Sequence, residues 1–274
     1  MKIGIFDSGI GGLTVLHQAM HSLPDAEYIY YADVAHVPYG KKTKEQIISY
    51  SREITEFFKK QQVDAELIAC NTASSCAANL LREEYDFPIV AMEPAVKPAL
   101  HGGEEDATKR ILVIATPVTL REEKLKNLIQ REGGEERIDL LPMPDLVDFA
   151  EREDFDSVDV TRCLDENFAP YDFRDYSALV LGCTHFNYFK PLLHEKLGEG
   201  IELMDGNHGT VRQLAKVLNL TVSDADEKVE FHTVESMEER FSVQYYFSGE
   251  PVTADGELAH IMRLHNQLEK ALEY

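Results

Sequence analysis

Short apolar runs alternate with amphipathic segments along this chain. Lys2 to Phe6, Glu27 to Ala32 and Ile111 to Thr116 have the length and composition of buried strands. Leu13 to Ser22 and Thr43 to Gln62 have the apolar spacing of helices. Because strands that alternate with helices form parallel sheets covered on both faces, the pattern predicts an α/β fold.

The same reasoning predicts the remaining elements. Further strands are expected at Glu66 to Ala69, Pro88 to Met92, Ile138 to Pro142, Tyr176 to Gly182 and Ile201 to Gly206. Further helices are expected at Cys76 to Glu83, from Thr119 through Gln130, and at Val158 to Phe168, Pro191 to Leu197 and Thr210 to Leu218. The tail predicts a late pair of strands, around Glu230 to His232 and Gln244 to Gly249, and a closing helix.

The middle of the chain contains a boundary. His101 to Lys109 is polar and rich in glycine and glutamate, which is typical of a connection between structural units. After it the strand Ile111 to Thr116 repeats the character of the first strand, and a second cysteine-bearing strand end follows. The repeated order predicts two similar lobes.

Composition and charge argue against several classes of function. The chain has 274 residues, an apolar fraction of 44% and a formal net charge of −22. This acidity argues against nucleic-acid binding through a basic face and against docking on an anionic membrane. No run approaches the ~18 apolar residues of a membrane span. Four cysteines without a dense framework, and a first strand without a separate apolar signal region, predict a cytoplasmic protein.

Two cysteines stand where strands end. Cys70 is followed by Asn71 and Thr72, and Cys183 by Thr184 and His185. Ligands of parallel sheets bind beyond the carboxyl ends of the strands, so the repeat predicts one active site with a thiol on either side. A lone cysteine in this position is more often a core residue, but the matched setting in both halves favours the active site. The Cys183-x-His185 pair lacks a full ligand set, and no metal is expected there.

The first strand leads into a glycine-rich turn, Asp7 to Gly12. Backbone N–H groups are free where the helix after it begins, which suits an anion. The turn lacks the spacing of the dinucleotide fingerprint and of the P-loop lysine, so it does not predict a nucleotide site.

Seven motifs occur in the order of a known family. They are Asp7-Ser8-Gly9-Ile10-Gly11-Gly12-Leu13-Thr14, Pro38-Tyr39-Gly40, Cys70-Asn71-Thr72-Ala73, Glu93-Pro94-Ala95, Thr116 with Thr119, Gly182-Cys183-Thr184-His185, and Asp205-Gly206 ahead of Thr210-Val211. On these motifs the chain resembles the glutamate racemases, the cofactor-independent enzymes of the aspartate/glutamate racemase superfamily. His36, His208, Glu122 and Lys124 depart from the usual pattern of that family.

The resemblance implies two pseudo-symmetric lobes, each a mainly parallel sheet flanked by helices, with the active site in the cleft between them. The first lobe would comprise residues 1–96 plus 207–274 and the second residues 97–206. The implied activity is interconversion of L-glutamate and D-glutamate, which supplies D-glutamate for peptidoglycan. No cofactor is expected, glutamate would be the small-molecule substrate, and the family commonly forms homodimers.

The resemblance also implies roles for five catalytic residues. Inversion of an α-carbon needs a base on one face and an acid on the other, and a thiol can serve as either near neutral pH. Cys70 would take the proton from the D isomer and Cys183 from the L isomer. Asp7 would assist Cys70, while His185 and an acidic residue would assist Cys183. Glu151 is the best match for that acidic residue, and Asp148 is the alternative.

No arginine stands in the motifs, so amides and hydroxyls are expected to hold the carboxylates of the substrate. The predicted substrate-binding residues are Asp7, Ser8, Pro38, Tyr39, Gly40, Asn71, Thr72, Thr116, Thr119, Thr184 and His185. Two alternatives stay open at this point: a racemase of aspartate or another small acidic amino acid, and a non-catalytic regulatory protein with the same fold.

Overall fold

The computed structural model describes residues 1–102, 108–223 and 233–271, and it contains two sheets. The strands of the first sheet are β1 (Lys2–Asp7), β2 (Glu27–Ala32), β3 (Ala65–Ile68), β4 (Ile89–Ala91), β9 (Ser242–Phe247) and β10 (Glu250–Pro251), in the order β10-β9-β2-β1-β3-β4. Those of the second are β5 (Arg110–Ala115), β6 (Ile138–Pro142), β7 (Tyr176–Gly182) and β8 (Glu202–Asp205), in the order β6-β5-β7-β8. All pairings are parallel except that of β9 with β10, which confirms the predicted fold class.

Helices connect and cover the strands. They are α1 (Leu13–Ser22), α2 (Lys44–Lys60), α3 (Asn71–Glu84), α4 (Val96–Leu100), α5 (Pro117–Arg121), α6 (Glu123–Arg131), α7 (Asp145–Glu151), α8 (Val158–Phe168), α9 (Lys190–Leu197), α10 (Asn207–Leu218), α11 (Val234–Arg240) and α12 (Asp255–Ala271). Short 3-10 turns cover Ile10–Gly12 and Thr184–Phe189. Among the described helices, none is long and apolar enough to cross a membrane.

The sheet topology explains why reactive side chains from different strands lie close together. β1 and β3 are neighbours in the first sheet, and β5 and β7 are neighbours in the second. Asp7 ends β1, Cys70 follows β3 and Cys183 follows β7. Carboxyl ends of parallel strands lie along one edge, so each sheet presents its polar strand ends together.

One buried apolar cluster joins the two lobes. It includes Ile5 of β1, Leu112 of β5, Phe186 of the second 3-10 turn and Leu264 of α12. Burial of apolar surface stabilises such an interface by about 25 cal/mol per Å². The polar strand ends of the two lobes are therefore held against each other by a shared core.

The helix predicted from Thr119 through Gln130 is two helices in the structure. α5 ends and α6 begins around Glu122, whose backbone is extended (φ −67°, ψ 144°). Thr116 starts α5 by accepting a hydrogen bond from the Thr119 N–H, and Pro117 occupies the first helical position. The amphipathic pattern runs through the break, and that is why the sequence did not reveal it.

The starts of two helices also differ. α3 begins at Asn71 rather than Cys76, because Cys70 caps it by accepting a hydrogen bond from the Ala73 N–H. α10 begins at Asn207 rather than Thr210, because Asp205 Oδ1 accepts a hydrogen bond from the Asn207 N–H and satisfies the start of the helix. The predicted strand at Glu230 to His232 lies outside the described residues. β9 pairs with β10 through a tight turn in which Ser248 and Gly249 both have positive φ.

Candidate active site

A narrow cavity lies between the carboxyl-terminal edges of the two sheets. Both Cys70 and Cys183 line it. The full lining is Ser8, Pro38, Tyr39, Gly40, Cys70, Asn71, Thr72, Thr116, Val147, Cys183, Thr184 and His185. A larger open groove beside α10 contains neither cysteine, so the small cavity is the candidate site.

The first thiol is the N-cap of α3. Cys70 Sγ accepts a hydrogen bond from the Ala73 N–H (3.4 Å), which fixes the sulfur at the start of the helix. The thiol donates to Ser8 Oγ (3.8 Å), and the Ser8 hydroxyl donates to Asp7 Oδ1 (3.3 Å). This first thiol arm, Cys70–Ser8–Asp7, connects a thiol to a carboxylate through one hydroxyl.

The environment of the first thiol arm favours its protonated forms. Burial raises the pKa of the Cys70 thiol, and the neighbouring negative charges of Asp7 and Cys183 raise it further. Burial also raises the pKa of Asp7, against the opposing influence of His185 and of the hydrogen bonds from Gly9 and Thr184. Cys70 is therefore a neutral thiol at rest, able to donate a proton.

The second thiol has an imidazole beside it. Cys183 Sγ lies 3.7 Å from His185 Nδ1, and His185 Nε2 lies 2.6 Å from Glu151 Oε1 at the end of α7. Burial lowers the pKa of His185, but its contacts with Cys183 and Glu151 outweigh burial and the net shift is upward. An imidazolium stabilises a thiolate next to it. This second thiol arm, Cys183–His185–Glu151, can therefore supply a base.

The structure distinguishes the two acidic candidates near the second thiol. Glu151 contacts His185, as the resemblance implied for the acidic residue. Asp148, the alternative, forms an ion pair with Lys41 (2.7 Å) at the rim instead.

Hydrogen bonds tie each arm to a residue of the opposite lobe. Thr184 Oγ1 donates to Asp7 Oδ2 (3.0 Å), and the Ile10 N–H donates to Glu151 Oε1 (2.9 Å). A Cβ on Gly9 would overlap Glu151, and one on Gly11 would overlap Thr184 and His185. The glycines of the first turn are therefore required by this close approach between lobes.

Two threonines of the cavity lining, Thr72 and Thr116, belong to a cluster of three hydroxyls. The Thr72, Thr116 and Thr119 hydroxyls form a triangle with oxygen separations of 3.0 to 3.2 Å. Thr72 belongs to α3, Thr119 belongs to α5 and Thr116 is the N-cap of α5, so the triangle also spans the lobes. Asn71 is buried, and its Oδ1 has no hydrogen-bond partner. A buried polar atom without a partner beside a cavity points to a bound ligand.

Tyr39 is fixed by a residue that the motifs did not single out. Its hydroxyl donates to Asp33 Oδ2 (2.7 Å), and His36 Nδ1 lies 2.9 Å from the same carboxylate. Burial raises the pKa of Tyr39, and the charge of Asp33 adds to the effect. Tyr39 therefore lines the cavity with its hydroxyl already bonded to Asp33.

Most of the predicted binding residues line the cavity. The exceptions are Asp7, which stands behind Ser8 and Thr184, and Thr119, which stands behind Thr72 and Thr116. Sequence reasoning missed Val147 and Asp33. Asp33 follows β2 at the same sheet edge, a signal that was available, whereas Val147 is an ordinary apolar residue of α7.

The described lining offers groups for proton transfer rather than for anchoring a large cofactor. It contains two thiols and one imidazole, and it carries no lysine or arginine. Cys183 and His185 are two side chains of metal-binding types in contact with each other, and two ligands are fewer than a zinc site uses. Two thiols at one cavity, each with separate proton partners, are groups that can accept and donate protons.

Known proteins share this fold and sequence. The Asp/Glu/Hydantoin racemase family model matches residues 13–214. A glutamate racemase of Lachnospira eligens is 45% identical over 270 residues, which is 98% of each chain. One from Campylobacter curvus is 47% identical over 276 residues and covers all of this chain and 99% of that protein.

Solved structures of glutamate racemases are also similar to this chain in fold. The glutamate racemase of Campylobacter jejuni has a TM-score of 0.78 at 29% identity, covering 97% of this chain and 98% of that one. The Escherichia coli glutamate racemase, solved with L-glutamate and the activator UDP-MurNAc-ala, has a TM-score of 0.75 at 28% identity, covering 92% and 99%. With the family model matching most of its length, this chain belongs to the Asp/Glu/hydantoin racemase family.

Proposed function

We propose that this chain interconverts L-glutamate and D-glutamate by a two-base mechanism, with Cys70 and Cys183 on opposite faces of the α-carbon. The observation that carries the proposal is that both thiols line one cavity, each with its own proton partners. The similarity to glutamate racemases over the full chain supports glutamate as the substrate.

For L-glutamate, the Cys183 thiolate takes the α-proton and becomes a thiol. A carbanion-like transition state forms, and the Cys70 thiol delivers its proton to the opposite face and becomes a thiolate. Inversion therefore leaves the substrate with a new α-hydrogen and the enzyme with its two sulfur states exchanged. D-glutamate reacts through the same steps in reverse.

The partners of each thiol control its protonation state. Asp7, with a pKa raised by burial, can exchange a proton with Cys70 through the Ser8 hydroxyl. His185 holds a positive charge beside Cys183 while Glu151 orients the ring. Both effects are electrostatic and preorganised, which is how a weakly acidic α-hydrogen is made removable.

Backbone N–H groups and neutral side chains would hold the two carboxylates of the substrate. Helix α3 begins at Asn71 and α5 at Pro117, both at the cavity, and helix starts attract anions. The Asn71 amide and the hydroxyls of Ser8, Thr72, Thr116 and Thr184 add donors. Because no arginine takes part, neutral donors would hold the substrate and the lining of the small cavity carries little charge.

The direct test measures the optical activity of purified protein with L-glutamate and, separately, with D-glutamate, without added pyridoxal phosphate. We expect both to converge on the racemate, with deuterium at the α-carbon when the solvent is heavy water. Turnover of aspartate but not of glutamate would reject the substrate and keep the mechanism. Absence of turnover with both would favour the non-catalytic alternative.

The domain bounds and the assembly belong to the same proposal. Residues 1–96 plus 207–274 would form one lobe and residues 97–206 the other, a division that the pairing of β9 with β2 supports. We also propose that the protein forms a homodimer and supplies D-glutamate for peptidoglycan. Light scattering of the purified chain tests the dimer, and a requirement for added D-glutamate after gene deletion tests the pathway.

A further inference from the structure

Two histidines and a glutamate, residue types that can bind metal ions, lie close together between α1 and α12, away from the candidate active site. His17 and His21 are four residues apart on α1 and therefore share one face of the helix. Glu269 comes from the last turn of α12. The side chains are 2%, 12% and 4% exposed, respectively.

The three ligand atoms surround one point. His17 Nε2 lies 3.1 Å and His21 Nε2 3.0 Å from the same oxygen, Glu269 Oε1. All three atoms lie within 4.8 Å of one another. Two donor atoms that each stand ~2.0 Å from a tetrahedral ion are about 3.3 Å apart, so the observed separations are close to those around a single zinc ion.

The polar atoms of this cluster lack hydrogen bonds of good geometry. His17 Nε2, His21 Nε2 and both Glu269 oxygens are buried without such a partner, although the two imidazoles lie close to the carboxylate. Buried polar atoms are almost always satisfied. The carboxylate also lies at the C-terminal end of a helix, where the helix dipole disfavours a negative charge. A cation between these atoms would remove each of these costs.

A further histidine lies behind the first ligand. His17 Nδ1 is 3.0 Å from His265 Nδ1, and His265 Nε2 is 3.4 Å from the Tyr245 hydroxyl. A metal-binding histidine usually donates its other N–H to a neighbouring acceptor, which fixes the ring.

We propose that His17, His21 and Glu269 bind one divalent transition-metal ion, with zinc as the best match. Two imidazoles and one carboxylate are a common zinc ligand set, with water in the fourth position. The ion would join α12 to α1 in the closely packed interior.

The site would act on the architecture rather than on the reaction. α1 and α12 both contact the 3-10 turn Thr184–Phe189, which carries Thr184 and His185. A metal link between the two helices would stabilise the surroundings of the second thiol arm. No step of racemisation passes through the ion.

The test uses cobalt(II), which replaces zinc and absorbs visible light when it is tetrahedral. The full-length protein is freed of metal with a chelator, and cobalt(II) is then titrated in. We expect one equivalent to bind with a tetrahedral absorption spectrum. Zinc in excess, at about a hundred times its Kd, should raise the unfolding midpoint by roughly 5 to 10 °C.

Two variants locate the site, and a third is the matched control. Glu269→Gln keeps the shape of the side chain and removes its charge, and His21→Gln removes one imidazole. Each should weaken cobalt(II) binding by at least about tenfold. His260, on the same helix, contacts Glu153 (3.2 Å) and Arg263 (3.5 Å) and is not one of the three ligands, so His260→Ala should bind cobalt(II) like the parent protein.

The far-ultraviolet circular dichroism spectrum checks that both site variants are folded. Failure of the parent protein to bind cobalt(II) or zinc would overturn the proposal. Binding that persists unchanged in both folded site variants would overturn it as well. Racemase activity is not the readout, so the result is independent of the proposed function.

Discussion

The two thiol arms have the same plan and different chemistry. Each runs from a buried sulfur through one bridging side chain to a carboxylate. The bridge in the first arm is the Ser8 hydroxyl, and the bridge in the second is the His185 imidazole. A hydroxyl can only pass a proton on, whereas an imidazole can hold one and become positively charged.

This difference assigns a resting state to each side. Burial and Asp7 keep Cys70 protonated, while the raised pKa of His185 keeps a cation beside Cys183. The resting site therefore contains a neutral thiol on one side and an imidazolium next to the other thiol. The hydrogen bond from Thr184 to Asp7 and that from Ile10 to Glu151 tie each arm to the opposite lobe, so the two states respond to each other.

The largest expected effect comes from removing either sulfur. Cys70→Ser and Cys183→Ser should each lower racemisation by about 10³-fold or more, because a hydroxyl is a poor base at neutral pH. Optical rotation with each isomer measures the loss. Cys163→Ser, at a half-buried cysteine of α8 outside the cavity, is the control and should behave like the parent. Full activity in either thiol variant would reject the two-base scheme.

Replacing the imidazole tests what makes the second arm different. His185→Asn keeps a polar side chain and removes the cation, and we expect kcat/KM to fall by about 10²-fold. Since free L- and D-glutamate are equal in energy, kcat/KM must fall equally in both directions. His208→Asn, at an exposed histidine of α10, should leave kcat/KM unchanged. A drop confined to one direction would indicate an error in the assay, and no drop would remove His185 from the account.

The carboxylate of the second arm should set the pH range. Glu151 is one of the groups that raise the pKa of His185, so Glu151→Gln should lower that pKa. The imidazolium would then be lost at a lower pH, and the alkaline limb of the kcat/KM profile should move toward neutrality. Asp148→Asn, at the rim, should leave the profile in place. A shift with Asp148→Asn and none with Glu151→Gln would reverse the assignment.

The bridging hydroxyl of the first arm should have a smaller effect. Ser8→Ala breaks the connection between Cys70 and Asp7 but leaves both in place, and we expect a roughly tenfold loss, below the ~10²-fold of a full acid–base group. Ser75→Ala removes a hydroxyl that bonds only the Asn71 carbonyl within α3, and it is the matched control. Equal losses in the two variants would show a packing effect rather than a proton path.

Glu66, on the strand that leads to Cys70, should affect stability rather than catalysis. Burial raises its pKa to about 8, against a hydrogen bond from Thr55, and its Oε2 has no hydrogen-bond partner. Because the folded pKa exceeds the unfolded value of ~4.5, the free energy of unfolding is highest below pH 4.5 from this group and falls as pH rises through 8. Glu66→Gln should flatten that dependence, by a few kcal/mol at most. Denaturant unfolding at pH 6 and pH 9 measures it, and an unchanged slope in the variant contradicts the neutral carboxyl.

Much of the fold could be predicted because its signals are local. β1, α1, β2 and β6 are apolar or amphipathic runs with clear punctuation, and they lie within a residue of the predicted bounds. The break at Glu122 depends on the backbone angles of one residue, and no periodicity reports that. The pairing of β9 with β2 joins residues more than 200 positions apart, and only the folded chain shows it.

The candidate site could likewise be predicted only in part. Cysteines after two strands could be recognised from the sequence, because parallel strands gather their carboxyl ends. The order of contacts could not: Ser8 between Cys70 and Asp7, or Thr119 behind Thr116, depends on side-chain directions across the cleft. Val147 joins the cavity because α7 packs against the first turn, and its apolar character carries no hint of this.

The most direct measurement follows α-deuterium uptake in heavy water by the two single-thiol variants, each given pure L- or D-glutamate. A remaining base can still exchange the proton on its own side without inverting the carbon. The account predicts that Cys70→Ser labels L-glutamate and not D-glutamate, and that Cys183→Ser does the opposite. Equal labelling of both isomers by either variant would contradict the placement of one sulfur on each face.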